Sequence, residues 1–265
     1  RAYHVLPPLT NAAGEPTGAI YGMTNMLRKF LRDYDSDRIV VVFDPRGPTF
    51  RNELFADYKA NRPPAPEDLI PQFSIIRDAT RAFGTPCIEL ENYEADYIIA
   101  PYARQAEALG ADVTIVSSDK DLMQLVTDKV SMFDAMKNRR IQAPEVVEKF
   151  GVGPDKVIDI QSLAGDSVDN VPGVPGIGVK TAALLINEYG DLDTLLERAG
   201  EIKQKGRREK LLAHAEDARI SRDLVTLKLD APMPEKLEEF GLGEPDPDVL
   251  VPFLREMEFR SFTRK

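Results

Sequence analysis

Tryptophan is absent from the 265 residues, and cysteine occurs once, at Cys87. A lone cysteine excludes an internal disulfide framework and favours a reducing, cytoplasmic setting. No apolar run approaches the length of a membrane span, and no signal peptide is visible. Positive charge is also short: 34 Lys and Arg against 44 Asp and Glu leave a net charge of −10. That balance counts against nucleic acid as a partner unless acids gather at a metal site while bases cluster elsewhere. Bases do cluster, at Arg46, Arg51, Lys59 and Arg62, and again at Lys203, Lys205, Arg207, Arg208 and Lys210. With 43% hydrophobic residues, the chain can bury one large core or two small ones. Opening on Arg1 and closing on Lys265, it reads as a piece of a longer protein.

Local patterns predict an α/β protein. Residues 1–10 read as strand or loop. A helix is expected over 18–34, with Ile20, Met23, Leu27 and Phe30 on one side. Ile39-Val40-Val41-Val42-Phe43 is a continuous apolar run of the kind found in buried parallel strands, and it ends at Asp44. Residues 45–71 are charged and Pro-rich with no clean apolar face, and read as a mobile, partly helical excursion. A helix (73–83), a short strand (86–90), a helix (93–109) carrying Pro101 where a kink is expected, and a third strand (113–117) follow. Residues 129–141 read as a hairpin turning at Lys137-Asn138. Helices are expected near 144–150, 154–164, 179–189, 191–198, 207–217 and 247–256. Alternating strands and helices followed by a helical run imply a central, mostly parallel sheet flanked by helices, with a helical subdomain. The expected division is 1–142 and 143–265.

Candidate site residues lie at the expected strand ends and helix starts. Asp44 follows the first strand, and Asp119 and Asp121 follow the third, where open α/β sheets place their sites. Asp119 and Asp121 would point the same way in extended chain. Glu94 and Asp96 open a helix, whose dipole tolerates negative charge. Asp166 and Asp169 would share a face if that stretch is helical. Seven such carboxylates brought together would repel unless cations neutralise them. An all-oxygen ligand set favours Mg²⁺ or Mn²⁺ over zinc. Next along, Pro172 and Pro175 remove donors, while Gly173, Gly176 and Gly178 permit positive φ. Such a loop, at the mouth of a helix starting near Val179, frees backbone N–H groups for a phosphate. A metal site one loop away from a phosphate cradle suggests phosphodiester chemistry.

Several segments carry a more specific resemblance. Phe43-Asp44, Thr49-Phe50-Arg51, Tyr58-Lys59-Ala60-Asn61-Arg62-Pro63-Pro64, Tyr93-Glu94-Ala95-Asp96, Ser118-Asp119-Lys120-Asp121 and Gly165 to Val174 resemble, in order, the flap-endonuclease family, in the form of the 5′-nuclease domains of bacterial DNA polymerases. The resemblance implies a PIN-like 5′-nuclease fold with a helical arch at about 46–71 and a helix–two-turn–helix element at about 160–190. It implies a divalent-metal-dependent 5′–3′ exonuclease and flap endonuclease acting in replication and repair, including primer RNA removal. Asp44, Glu94, Asp96, Asp119, Asp121, Asp166 and Asp169 would hold two or more Mg²⁺ or Mn²⁺ ions. Lys59 and Arg62, with Arg51 and Tyr58 on the same wall, would steady the scissile phosphate. Gly173, Val174, Gly176, Gly178, Lys180 and Thr181 would grip duplex backbone, with K⁺ on the loop carbonyls. The implied partners are DNA with a 5′ flap, nick or 5′ end, RNA-primed DNA, and a C-terminal polymerase domain. The implied protein is a bacterial, nucleoid-associated, cytoplasmic monomer away from membranes.

Two departures bear on activity. The family carries an early acid just before the segment matching Arg1–His4, outside this sequence. Where the family pattern is Glu-Ala-Asp-Asp, this chain reads Glu94-Ala95-Asp96-Tyr97. On a shared helical face, Tyr97 would project toward the metals and weaken binding of a second ion. The alternative reading is therefore a weakened or inactive module that binds flaps or nicks. A third is an exonuclease-like protein without a polymerase.

Overall fold

The computed structural model describes residues 2–34 and 36–263. The expected domain limits at Arg1 and Lys265 lie outside these residues. The chain forms two compact units. One comprises the residues up to Phe43, Pro63–Glu89 and Pro234 onward; the other comprises Asp44–Arg62 and Leu90–Met233.

In the first unit, Ala2–Val5 is a single helical turn rather than strand or loop, and Pro7-Pro8 follow it. Helix Gly18–Asp33 forms as the apolar spacing predicts and buries Ile20 and Leu27. They pack with Ala79 and Phe83 of the Gln72–Ala82 region and with Leu254, Met257 and Phe259 near the C-terminus. Strand β1 (Val41–Val42) pairs in parallel with β2 (Cys87–Ile88), in the register Val41↔Cys87. Both are shorter than their apolar runs.

The second unit carries β3 (Val113–Val116), β4 (Val130–Asp134) and β5 (Arg139–Ile141). β3 and β4 are parallel, while β4 and β5 form the expected antiparallel hairpin. Its turn places Asn138 at φ 48°, a conformation that asparagine tolerates. Helix Ala95–Ala108 runs without a break through Pro101. Helices Ala143–Phe150, Val157–Ala164, Val179–Tyr189 and Leu192–Glu197 follow near their expected positions. The helix expected at 207–217 is instead two helices, Lys205–Ala213 and Ala215–Val225, broken at His214 where φ reaches −116°.

Tyr97, Ile115 and Met132 lie in one apolar core with Val146, Leu163 and Ile186, so strands and later helices share the water-excluded interior. The excursion is partly helical, as expected, and residues 45–62 are firmly anchored. Helix Phe50–Leu54 is capped by Thr49 and Asn52. Its anchor is polar, which is why no apolar face appears in the sequence: Arg51 is 1% exposed.

Candidate active site

All the acidic candidates belong to the second unit. Six of the seven line one cavity of about 210 Å³: Asp44, Glu94, Asp96, Asp119, Asp121 and Asp169. Arg51, Lys59 and Arg62 line it as well, so six acids face three bases and the wall keeps an excess of negative charge.

Each acid is placed by local backbone. Glu94 is the N-cap residue of helix Ala95–Ala108, and Asp96 lies in its first turn. The Asp44 carboxylate accepts the Ala95 N–H at 2.8 Å, near the positive end of that helix. Asp119 and Asp121 do not sit on extended chain. Asp119 accepts the Asp121 N–H at 3.0 Å, and Asp121 opens a 3₁₀ turn to Leu125. Gln161 donates to Asp121 from helix Val157–Ala164.

Asp166 and Asp169 are not on a helix. Gly165, at φ 65°, ends helix Val157–Ala164, and a Cβ there would lie 2.5 Å from the Val171 carbonyl oxygen. The chain then closes a tight loop, with Asp166 N–H donating to Val171 at 3.0 Å and Val171 N–H returning to Asp166 at 2.8 Å. This geometry separates the pair. Asp169 faces the cavity, while Asp166 is held by Lys120 at 2.8 Å and does not line it.

The basic residues sit on the acids. The Arg51 guanidinium pairs with Glu94 and, at 2.8 Å, with Asp96. Lys59 Nζ lies 2.8 Å from Glu94, and Arg62 pairs with Asp169. The Tyr58 hydroxyl donates to Glu94 at 3.1 Å and is buried. Arg51 and Tyr58 therefore brace the acids from beneath. Lys59 and the half-exposed Arg62 stand at the mouth.

Tyr97 does not project into the cavity. Its ring is fully buried, its hydroxyl accepts from Arg51 Nε at 3.2 Å and donates to the Thr226 carbonyl at 3.0 Å. The expected shared face fails because Glu94 has extended backbone, φ −68° and ψ 157°, so position 94 is not yet helical.

The electrostatics follow from burial and pairing. Burial pushes the Asp96 carboxyl up to about 6, against the pull of Arg51. Burial, reinforced by the neighbouring Asp119, pushes Asp121 up to about 7. Burial works against Glu94 too, but Arg51 and Lys59 hold it below its ordinary range. Lys120 and the Val168 N–H do the same for Asp166. Among the described residues, no three acid, His or Cys side chains converge closely enough to hold one ion between them. The donor chemistry nonetheless fits a hard cation: oxygen ligands only, in negative excess, two of them protonating well above the usual carboxylate range.

In the loop beyond, Val174 N–H donates to Leu163 at 2.7 Å and the buried Gly173 donates to Ser221 at 2.8 Å, so Gly173 and Val174 fasten the loop. Gly176, Gly178 and Lys180 are exposed and Thr181 half-buried, at the start of helix Val179–Tyr189. Lys210, among bases read only as a charge cluster, stands against Gly176, where a Cβ would meet its ammonium group. Lys120 and Gln161 lay outside the expected set. Lys120 is flanked by both acids of Asp119-Lys120-Asp121, which was the available signal; Gln161 had none.

Two family models match. One, described as 5′-3′ exonuclease, N-terminal resolvase-like domain, covers residues 1–151; the other, 5′-3′ exonuclease, C-terminal SAM fold, covers residues 152–248. The DNA polymerase I of Rhizobium leguminosarum is 58% identical over all of this chain and 27% of its own length. A 5′-3′ exonuclease of Aquifex aeolicus is 38% identical over all of this chain and 90% of its own length. The chain thus spans less than a third of the polymerase relatives it matches. Among solved structures, T5 5′-exonuclease with bound divalent metal ions (zinc) superposes with a TM-score of 0.69 at 24% identity, covering 91% of this chain and 90% of that one. The catalytic core of Rad2 in complex with DNA substrate gives 0.62 at 19%, covering 96% and 84%. At these identities, the likeness establishes the fold.

Proposed function

The chain belongs to the 5′-3′ exonuclease family of nucleases, and from that premise we propose that it is a divalent-metal-dependent enzyme that removes 5′-terminal nucleotides and cuts 5′ flaps. The observation that carries this reading is the cavity in which six carboxylates face Lys59 and Arg62. Asp44, Asp96, Asp119, Asp121 and Asp169 are the residues that would hold Mg²⁺ or Mn²⁺. Bound there, such ions activate water and neutralise charge at phosphorus. Asp166, paired with Lys120 beside the cavity, is an outer support.

The residues of the chain do the rest. Lys59 and Arg62 exchange their carboxylate partners for the scissile phosphate, which carries the same charge in a similar oxygen geometry. Arg51 holds Glu94 ionised and opposes the upward push of burial on Asp96, while Tyr58 fixes the Glu94 carboxylate in place. Gly176, Gly178 and Lys180, with Lys210 alongside, receive duplex phosphates without reading sequence. A K⁺ on the loop carbonyls, joining to a polymerase domain, RNA-primed DNA as substrate, and work as a monomer at the bacterial nucleoid are parts of the same proposal. They rest on resemblance to the polymerase relatives.

A second reading, a flap- or nick-binding module with little cutting, is favoured by the bases already seated on the cavity acids, Lys59 on Glu94 and Arg62 on Asp169. A labelled flap duplex incubated with Mg²⁺ or Mn²⁺ separates the two. The nuclease reading expects short 5′ products that vanish in EDTA. Stable binding with no product over long times contradicts it.

A further inference from the structure

Within the second unit, the turn carrying Lys59 and Arg62 is tied to the loop carrying Asp166 and Asp169 by two asparagines that reach in opposite directions. Asn61 Nδ2 donates to the Ser167 carbonyl at 2.7 Å, and Asn170 Nδ2 donates to the Asp57 carbonyl at 2.6 Å. Between them the Lys59 N–H donates to the Asp169 carbonyl at 2.9 Å, and Arg62 pairs with the Asp169 carboxylate.

The backbone gives this clasp its meaning. Lys59 sits at φ 57°, a region asparagine and glycine enter easily and lysine does not. A lysine persists there only when its surroundings over-determine it. Here the Asp169 carbonyl fixes its N–H while Glu94 fixes its Nζ. Asn170 also lies at φ 57°, so each segment brings one left-handed residue to the clasp. Neither asparagine is buried: Asn61 is exposed and Asn170 half-buried. Their bonds therefore add little to a core and much to the register of two segments.

We propose that Asn61 and Asn170 are positioning residues that set where Lys59 and Arg62 enter the acid-lined cavity. The same loop continues to Gly176–Lys180, so the clasp links placement of the bases to the segment that takes the duplex. This inference rests on the nuclease reading.

The test uses Asn61→Asp, which keeps shape and loses the donor, and Asn170→Gly, which keeps the backbone conformation and loses the side chain. Single-turnover cutting of a flap duplex in Mg²⁺, flap affinity in EDTA, and hydrogen exchange at the Lys59 amide are measured for each. The expected result is a cutting rate lowered about 10- to 100-fold with affinity held within about twofold, the signature of misplaced rather than lost groups. Lys59 exchange should rise in parallel. In a Lys59→Ala/Arg62→Ala background the same changes should lower the rate no further, because they act through those bases. An unchanged rate, or an equal fractional loss in that background, overturns the inference while the wild-type rate upholds the nuclease reading. A wild-type protein that never cuts, though Lys59 exchange responds, sinks the nuclease reading and with it any catalytic role for the clasp.

Discussion

The guanidinium carbon of Arg51 lies 4.2 Å from the ring centroid of Tyr97, and its Nε meets the tyrosine hydroxyl at 3.2 Å. The ring and the Leu224 carbonyl, 2.9 Å from Nε, hold the arginine in place while its other nitrogens reach Glu94 and Asp96. This buried cation lets two acids stand side by side in the cavity wall.

Arg51→Met should therefore destabilise the fold by about 3–5 kcal/mol, the usual penalty for stranding one side of a buried ion pair. Without the guanidinium, the folded-state values of Glu94 and Asp96 rise. The penalty should then grow as pH climbs above the ordinary carboxylate range and shrink toward pH 4. Urea unfolding at pH 5 and pH 8 reads this. A loss of similar size at both would place the role of Arg51 in packing alone.

Tyr97→Phe removes one hydroxyl and takes its donor from the Thr226 carbonyl, while Arg51 Nε keeps the Leu224 carbonyl, with an expected loss of about 1–3 kcal/mol. Tyr97→Asp should not restore a ligand, because position 97 faces Arg51 and the core. Its Mg²⁺ dependence should show no gain over wild type. Raised activity at low Mg²⁺ would place side chain 97 in the cavity.

The acids also set a pH dependence. Asp96 and Asp121 protonate at about 6 and about 7 in the folded chain, above the ordinary 3.8. A carboxyl raised on folding costs nothing while both states are protonated. It costs progressively more as pH rises from the ordinary value through the folded one. The metal-free protein should therefore lose stability between about pH 4 and pH 7 from this source. A cation that accepts the charge should return it. The rise in melting temperature on adding Mg²⁺ should be small at pH 5.5 and larger at pH 8; an equal rise at both would contradict the assignment.

On the DNA side, Lys180→Ala and Lys210→Ala should each weaken flap binding and lower the slope of log affinity against log salt by about one. Fluorescence titrations across salt concentrations give that slope. An unaltered slope for Lys210 would return it to the solvated surface.

Much of this was legible in the sequence, and what was not has identifiable causes. Asp44, Glu94 and Asp96 could be read because apolar runs and helix starts are local signals that the packing keeps. Asp166 and Tyr97 lie outside the cavity lining for one shared reason: the backbone at Asp166 and at Glu94 is not helical, so no helical face carries them there. Gly165 ends the helix before Asp166, and Glu94 caps the next one rather than joining it. The burial of Arg51 left no trace, since a cation in a Pro-rich, charged stretch looks like surface until its partners, 43 and 45 residues away, are in place. Nor could the sequence reveal that strands and later helices share one core.

Acids from separate segments line one cavity, which we propose holds the cations. Anomalous diffraction from a crystal soaked in Mn²⁺ tests it most directly. The predicted result is a peak among Asp44, Asp96, Asp119, Asp121 and Asp169, lost in the Asp119→Ala/Asp121→Ala protein. A cavity without any peak, or peaks only at surface carboxylates elsewhere, would contradict it.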